Sequence, residues 1–396
     1  MKSKYSMLSV VVALVLALSS TSAVVWPAYA IDAEAEQSSG PLTPSVTSPL
    51  LDALAFAPPD IIAFEFTDWT ALKALHGGAD ITSASPLADR QRLVLEMVNS
   101  EASQFEFGLG RLATWPELWG WDNTDLAWEA TWVAAPGTTR SWVWRFRAGW
   151  DPKPFMARLE GYGYSRTEKP HGTLYGDAPD FHPDPDTEAI LEVEERLTYE
   201  PGSVAISSDG QTVAIRAFSD RADRILKTSA RADPVAVAAS PFGRVAVALG
   251  RPITAFLMDG DSACSEVGLG DADPEWDAKL YGSRVTRPES VGPLHPYQAF
   301  GVGYDRAKPG GPAVGRYAFA YKRAKQARAD LAGRRTLIEE RYAALSGRPT
   351  EDVAVSLGES SPDRRTLTLE VELRDDAPQL LFDLLGRPYL SPAACG

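Results

Sequence analysis

The sequence predicts an α+β fold made of two tandem, internally duplicated halves. Three blocks of hydrophobic pattern recur in the same order along the chain. The first block reads as a strand followed by a helix, and the other two each read as a β-hairpin followed by a helix. This mixture favours a mainly antiparallel sheet with helices on one face, for which a ferredoxin-like arrangement is the nearest common architecture. The pattern leaves the order of the strands open.

In the first block, residues 62–66 alternate between apolar and polar side chains and predict a strand. Residues 69–75 then carry apolar side chains at helical spacing. The second copy predicts a strand over residues 245–249 and a helix over residues 253–257, which ends at Gly260. Glycine often follows a helix because it tolerates the left-handed conformation there.

In the second block, residues 128–132 and 142–146 predict two strands joined by a turn at Pro136 and Gly137. The copy has predicted strands over residues 300–304 and 317–319. Proline presets φ and glycine accepts positive φ, so this pair of residues favours a turn. A helix is predicted after each hairpin, and the second of them is long.

In the third block, residues 204–206 and 213–215 flank an Asp-Gly turn, which is a strong hairpin signal. Its copy uses residues 353–357 and 367–373 with a longer loop. The offset between matching blocks shrinks along the chain, so the first half is predicted to carry insertions. The larger insertion is predicted around residues 177–195.

The chain begins with the features of a secretory leader. Lys2 and Lys4 precede an uncharged apolar run, and Ala28 and Ala30 form a small-x-small end. We therefore predict a signal peptide over residues 1–30 with cleavage after Ala30. Residues 31–50 read as a flexible tether rich in Ser, Pro and Thr, followed by a first repeat at 51–232 and a second at 233–396.

The charge of the chain excludes some classes of partner. The net charge is −14, and loss of the leader with its two lysines makes it −16. Such a surface repels the phosphates of nucleic acids and of anionic lipids. Contact with a membrane is expected only through an uncleaved leader, because the uncharged stretch there is long enough to span a bilayer.

Cys264 and Cys395 are the two cysteines of the chain. In an oxidising compartment an isolated pair predicts one disulfide, and two unpaired thiols are the alternative. Two cysteines without a Cys-x-x-Cys spacing argue against a zinc site.

A candidate ligand site comes from the tryptophans, most of which lie in the first half. The turn-like segment around Pro116 predicts exposed aromatic rings next to carboxylates, which could stack on sugar rings and bind their hydroxyl groups. The candidate residues are Trp115, Glu117, Trp119, Trp121 and Asp122. A larger core in the first half is the alternative interpretation, and it is preferred for the tryptophans of the hairpin.

The search for catalytic and metal motifs finds little. No nucleophile elbow, zinc-protease motif, phosphate loop or dinucleotide fingerprint occurs. Alternating acidic residues suggest a weak calcium site at Asp271, Asp273, Glu275 and Asp277, although a tryptophan stands where the calcium loop needs glycine. No cofactor is predicted.

The function predicted from these observations is a non-catalytic binding or scaffolding role outside the cell or at its envelope, with a glycan or an envelope protein as the partner. A secreted glycan hydrolase that uses carboxylates such as Glu117 and Asp122 is one alternative. A protein-interaction module without a small ligand is another.

Overall fold

The computed structural model describes the chain from residue 48 onward, with gaps. The described residues are 48–100, 111–134, 140–176, 203–216, 222–264, 291–308, 310–346, 350, 353, 355–358, 364–373, 381, 393 and 395. The predicted leader, the tether up to residue 47 and the four calcium candidates lie outside the described residues.

Twelve strands form one sheet within the described residues. The strands are β1 Ala63–Thr67, β2 Leu126–Val133, β3 Ser141–Phe146, β4 Ser165–Lys169, β5 Gly172–Gly176, β6 Ser203–Ser207, β7 Thr212–Arg216, β8 Thr254–Asp259, β9 Ala299–Arg306, β10 Ala313–Ala320, β11 Val355–Leu357 and β12 Thr366–Leu373. Their order is β11-β12-β10-β9-β8-β1-β2-β3-β7-β6-β5-β4. Every pair of neighbours is antiparallel.

Ten α-helices accompany the sheet in the same residues. The helices are α1 Pro49–Leu54, α2 Trp69–Leu75, α3 Leu87–Ser100, α4 Arg111–Trp119, α5 Lys153–Gly161, α6 Asp223–Arg231, α7 Pro234–Ala239, α8 Pro241–Leu249, α9 Gly260–Cys264 and α10 Ala324–Ser346. The α+β class predicted from the sequence is thereby confirmed. No described helix is long and apolar enough to cross a membrane.

The two halves of the sheet repeat one strand order. The first half runs β1-β2-β3-β7-β6, and the second runs β8-β9-β10-β12-β11 in the opposite direction from the centre. The halves meet where β1 pairs with β8, with Glu65 opposite Phe256. The hairpin β4-β5 is an addition to the first half. The larger insertion, predicted around residues 177–195, lies outside the described residues. The first strand of each half lies at its inner end, so the order does not support a ferredoxin-like arrangement.

Helices cover both faces of the sheet rather than the single face that the sequence predicted. One face buries the larger side chains, such as Trp144, Phe256 and Tyr317, beneath α2–α5, α9 and α10. The other face buries Phe64 and Trp132 together with many alanines beneath α1, α6 and α8. Apolar residues occur on both sides of a strand in either half, and a sheet of this kind needs a cover on both faces.

The second copy of the first block was assigned wrongly from the sequence. Residues 245–249, predicted as a strand, belong to the helix α8. Of residues 253–257, predicted as a helix, Ile253 precedes the strand β8 and the other four belong to it. The true start signal of α8 is Ser240, whose hydroxyl accepts a hydrogen bond from the Gly243 backbone at 3.0 Å, followed by Pro241 at the first helical position. With this correction β8 matches β1, which strengthens the evidence for a duplication.

The other predicted hairpins and the disulfide are present. The strand pairs β2-β3, β6-β7, β9-β10 and β11-β12 confirm the predictions from the second and third blocks. Cys264 and Cys395 are bonded, with Cα atoms 4.8 Å apart. The boundary between repeats at residues 232 and 233 stays a prediction.

Candidate ligand cleft

The structure buries much of the aromatic cluster that the sequence proposed as a glycan site. Trp115 and Trp121 are 2% and 1% exposed, and Trp119 is half-buried. The Trp121 ring lies 4.8 Å from Trp144 and makes an edge contact with Phe146 at 5.1 Å, centroid to centroid. The expectation of exposed stacking rings is therefore wrong for Trp115 and Trp121, which belong to the core.

The two carboxylates of that segment lie in different environments. Glu117 is exposed on α4, whereas Asp122 is buried and forms an ion pair with the buried Arg90 of α3. Asp122 also accepts a hydrogen bond from the Thr124 backbone at 2.8 Å. A carboxylate held in this way is not available as a general acid or base, so the glycan site and the hydrolase that would use it lose their support.

Asp122 belongs to a buried group of charges that fastens the turn before β2. The Lys73 ammonium donates to the Thr124 carbonyl oxygen, and Arg147 pairs with Asp125 at 3.1 Å. Burial raises the pKa of Asp122 and lowers the pKa of Lys73, while the neighbouring opposite charges act against both shifts. These contacts hold α2, α3 and the turn together, which is a structural role.

Among the described residues, no group of three or more acidic, histidine or cysteine side chains is arranged to hold a metal ion. His295 and Asp330 form a smaller constellation that the sequence did not reveal. Asp330 is buried on α10, and its two carboxylate oxygens lie 2.8 Å from the His295 backbone nitrogen and 2.6 Å from Nδ1 of the ring. Because one carboxylate contacts both the backbone and the ring of His295, we infer that this pair fixes the position of the segment before β9.

A large cleft in the described residues lies where β1 begins and β8 ends. Its volume is about 850 Å³, which falls within the range of small-molecule sites. Its lining residues fall within 54–62, 228–242, 259–261 and 297–298, although not every residue of these ranges lines it, so the first and second predicted repeats both contribute. The position follows from the central strand pair, since the Asp259 nitrogen donates to the Ile62 carbonyl oxygen at 2.9 Å.

The cleft is predominantly apolar, and three prolines are among its lining residues. The apolar lining includes Leu54, Ile61, Ile62, Val237 and Phe242. Pro58, Pro59 and Pro241 also line it, and proline rings fix the backbone φ angle in both facing walls. Such walls lose little conformational entropy when a ligand enters, which favours binding.

The polar groups of the cleft differ in whether they have hydrogen-bond partners within the protein. Ser240 donates to the Val237 carbonyl oxygen at 2.7 Å, and Gln298 accepts from Arg244 at 2.8 Å. Asp259 accepts from the backbone nitrogens of Asp261 and Ser262 through Oδ1, at 3.0 and 3.1 Å. Its other oxygen, Oδ2, is buried and has no hydrogen-bond partner in the structure.

No local pattern in the sequence predicts this cleft. Its lining residues are scattered over some 240 positions and come together only when β1 pairs with β8. The signals that are visible afterwards are the proline pair at Pro58 and Pro59 and the acidic residue Asp259 at the end of an apolar strand.

Comparison with known proteins yields only remote likenesses. No protein-family model matches the chain, and no curated protein matches it. Among solved structures, the chain is similar to TP0453 in crystal form I, with 11% sequence identity and a TM-score of 0.36, over 86% of this chain and 97% of that one. Crystal form III gives 10% identity and a TM-score of 0.35, over 83% and 96% of the two chains. Likeness at this level carries no argument about function.

Proposed function

We propose that this chain is an exported, non-catalytic binding protein of the cell envelope or exterior that holds a small apolar molecule in the cleft between α1, α7 and β8. The observation that carries the proposal is the cleft itself, which combines a volume of about 850 Å³ with an apolar lining. A largely apolar pocket with a few polar groups is the usual form of a small-molecule site.

Export is supported by the sequence and by the disulfide. The first thirty residues have the three regions of a secretory leader. The bond between Cys264 and Cys395 suits an oxidising compartment, where such bonds form and persist. An acidic surface suits a protein that remains soluble there.

The proposal is tested with residues 31–396 and a neutral apolar dye such as Nile red, whose fluorescence rises in an apolar environment. We expect saturable binding to the wild-type protein. Ala236 lines the cleft on α7, so the A236W variant places an indole ring inside it. We expect A236W to bind the dye at least about tenfold more weakly, which corresponds to a loss of about 1.4 kcal/mol.

The matched control uses the neighbouring position on the same helix. Val235 is 69% exposed and does not line the cleft, so V235W adds the same ring on the outside and should leave dye binding unchanged. Equal affinity in wild type and A236W, or no saturable binding to the wild type, would contradict the proposal.

A further inference from the structure

One wall of the cleft is joined to the disulfide through the short helix α9. Gly260 and Asp261, the first two residues of this helix, line the cleft, and Cys264 is its last residue. The bonded cysteine therefore lies about one helical turn from the cleft. Gly260 also packs tightly against Tyr297, since a Cβ atom added at Gly260 would overlap the Tyr297 carbonyl oxygen. The start of α9 and Tyr297 thus belong to the same wall.

This wall has a second connection to the disulfide, through Tyr297. Tyr297 is buried and is one of the lining residues of the cleft. Its hydroxyl donates a hydrogen bond to the Ala393 carbonyl oxygen at 2.6 Å, and Cys395 follows two residues later. The Leu294 nitrogen donates to the Cys395 carbonyl oxygen at 3.2 Å. The disulfide therefore holds Ala393 and Cys395 against the back of the wall, and Tyr297 in turn is held by Ala393.

A buried arginine contacts the disulfide itself. Arg334 on α10 is 0% exposed, and its guanidinium donates to the Ala393 carbonyl oxygen at 3.0 Å and to Sγ of Cys395 at 3.4 Å. A positively charged donor beside a sulfur atom stabilises the thiolate that forms when the disulfide breaks. Cys395 is therefore the better leaving group, and Cys264, which is half-buried at the end of α9, is the sulfur that an incoming thiolate attacks.

We propose that thiol–disulfide exchange at Cys264 and Cys395 controls ligand binding in the cleft, so that the oxidised protein retains the ligand and the reduced protein releases it. This inference rests on the proposed function, because it concerns the regulation of the same site. Once the disulfide opens, hydrogen bonds alone hold Ala393 and Cys395 against the wall. A wall that the ligand itself must order costs binding free energy, so the affinity falls.

The exchange consumes one external dithiol, which supplies two electrons. Its first thiolate attacks Sγ of Cys264, the bond between the two cysteines breaks, and Sγ of Cys395 leaves as a thiolate that takes up a proton. The second thiolate of the dithiol then attacks the mixed disulfide, so that Cys264 leaves and is protonated. The dithiol ends as a cyclic disulfide, and its two protons are balanced by those on the two cysteines.

The proposal is tested by titrating Nile red into residues 31–396 with and without dithiothreitol, which is a dithiol. We expect reduction to weaken dye binding to the wild-type protein about tenfold. The C264S/C395S variant should bind the dye as weakly as the reduced wild type, and dithiothreitol should not change its affinity. Circular dichroism and the melting temperature check that the reduced protein and the variant are folded.

Two further variants separate the proposed connection from a general loss of stability. Y297F removes the hydroxyl that joins the wall to Ala393, whose carbonyl oxygen keeps its hydrogen bond from Arg334. Reduction should therefore weaken dye binding to Y297F by only about threefold or less. R90A removes one partner of a buried ion pair at a residue that does not line the cleft. It should bind the dye as the wild type does and keep the tenfold effect of reduction.

The outcomes distinguish this inference from the proposed function. If the oxidised and reduced wild-type proteins bind the dye equally, the cleft binds apolar ligands without redox control, and only this inference falls. An undiminished effect of reduction in Y297F, weakened binding by R90A, or unfolding of the wild type by dithiothreitol would also contradict it. If the oxidised wild-type protein does not bind the dye, the proposed function fails as well.

Discussion

Two arginines on α3 illustrate how differently an ion pair acts in the interior and at the surface. The side chains of Arg90 and Asp122 are 8% and 2% exposed, whereas those of Arg92 and Asp89 are 66% and 41% exposed. Removing one partner of a buried pair leaves an uncompensated charge in the interior, which costs far more than the loss of a solvated pair.

We therefore predict that R90A lowers the free energy of unfolding by about 3–5 kcal/mol, measured by urea denaturation. R92A, on the same helix, should change it by less than about 0.5 kcal/mol. Similar effects of the two variants would contradict the assignment of Arg90 to a structural ion pair.

At the same scale, the tryptophan segment shows why burial was hard to predict. Pro116 and Gly120 favour a turn, yet Pro116 lies inside α4 and Gly120 adopts a φ of 81° just after it. The ring of Trp121 is buried by Trp144 and Phe146, which lie more than twenty residues away in the sequence. Local propensity predicted a turn with exposed rings, whereas contacts with residues distant in the sequence bury the ring of Trp121.

At the scale of elements, the close approach of α8 to the sheet depends on glycines in β9. A Cβ atom added at Gly301 would lie 2.4 Å from Cγ1 of Val245 and 3.3 Å from Cδ1 of Leu249. Real atoms do not approach so closely, so the helix or the side chain would have to move.

We predict that G301A lowers the free energy of unfolding by about 1–3 kcal/mol because it overpacks this interface. The double variant G301A/V245A should be less destabilised than the sum of the two single variants, since V245A removes the methyl groups that clash. G292A, where an added Cβ meets no atom within 4 Å, should have little effect. Strict additivity of G301A and V245A in denaturation experiments would contradict this packing.

The helix α8 shows that a short hydrophobic pattern does not always distinguish a helix from a strand. Val245 and Leu249 are four residues apart and buried on one face, while Val247 between them is 36% exposed. A run of alternating apolar residues fits a strand and a short helix equally well. The hairpins were predicted correctly because their turn residues add independent information, whereas α8 and β8 are separated only by the four residues 250–253.

At the scale of the whole molecule, the disulfide closes a loop of 131 residues that contains β9 to β12. Closing a loop restricts the unfolded chain, so we predict that the double variant C264S/C395S loses about 2–5 kcal/mol of unfolding free energy. A reducing agent should destabilise the wild-type protein by a similar amount in urea denaturation and leave the double variant unchanged. An effect below about 1 kcal/mol would contradict a stabilising role.

The duplication and the α+β class could be predicted because each block carries its own local pattern. The continuous sheet and the cleft could not, since both depend on the pairing of β1 with β8, about 190 residues apart. No pattern within either strand specifies an edge partner in the other half. The sequence therefore predicted a site in an aromatic segment of the first half, whereas the candidate site in the structure is a cleft lined by both halves.

Binding in that cleft is the central claim, and methyl NMR tests it most directly. The Ile, Leu and Val methyl groups of residues 31–396 would be labelled, and 1-octanol, a small neutral apolar ligand, added stepwise. The account predicts saturable shifts concentrated on Leu54, Ile61, Ile62 and Val237, which line the cleft, with little change at Leu112 beside the buried tryptophans. Shifts centred near Leu112, or no saturable shifts anywhere, would contradict it.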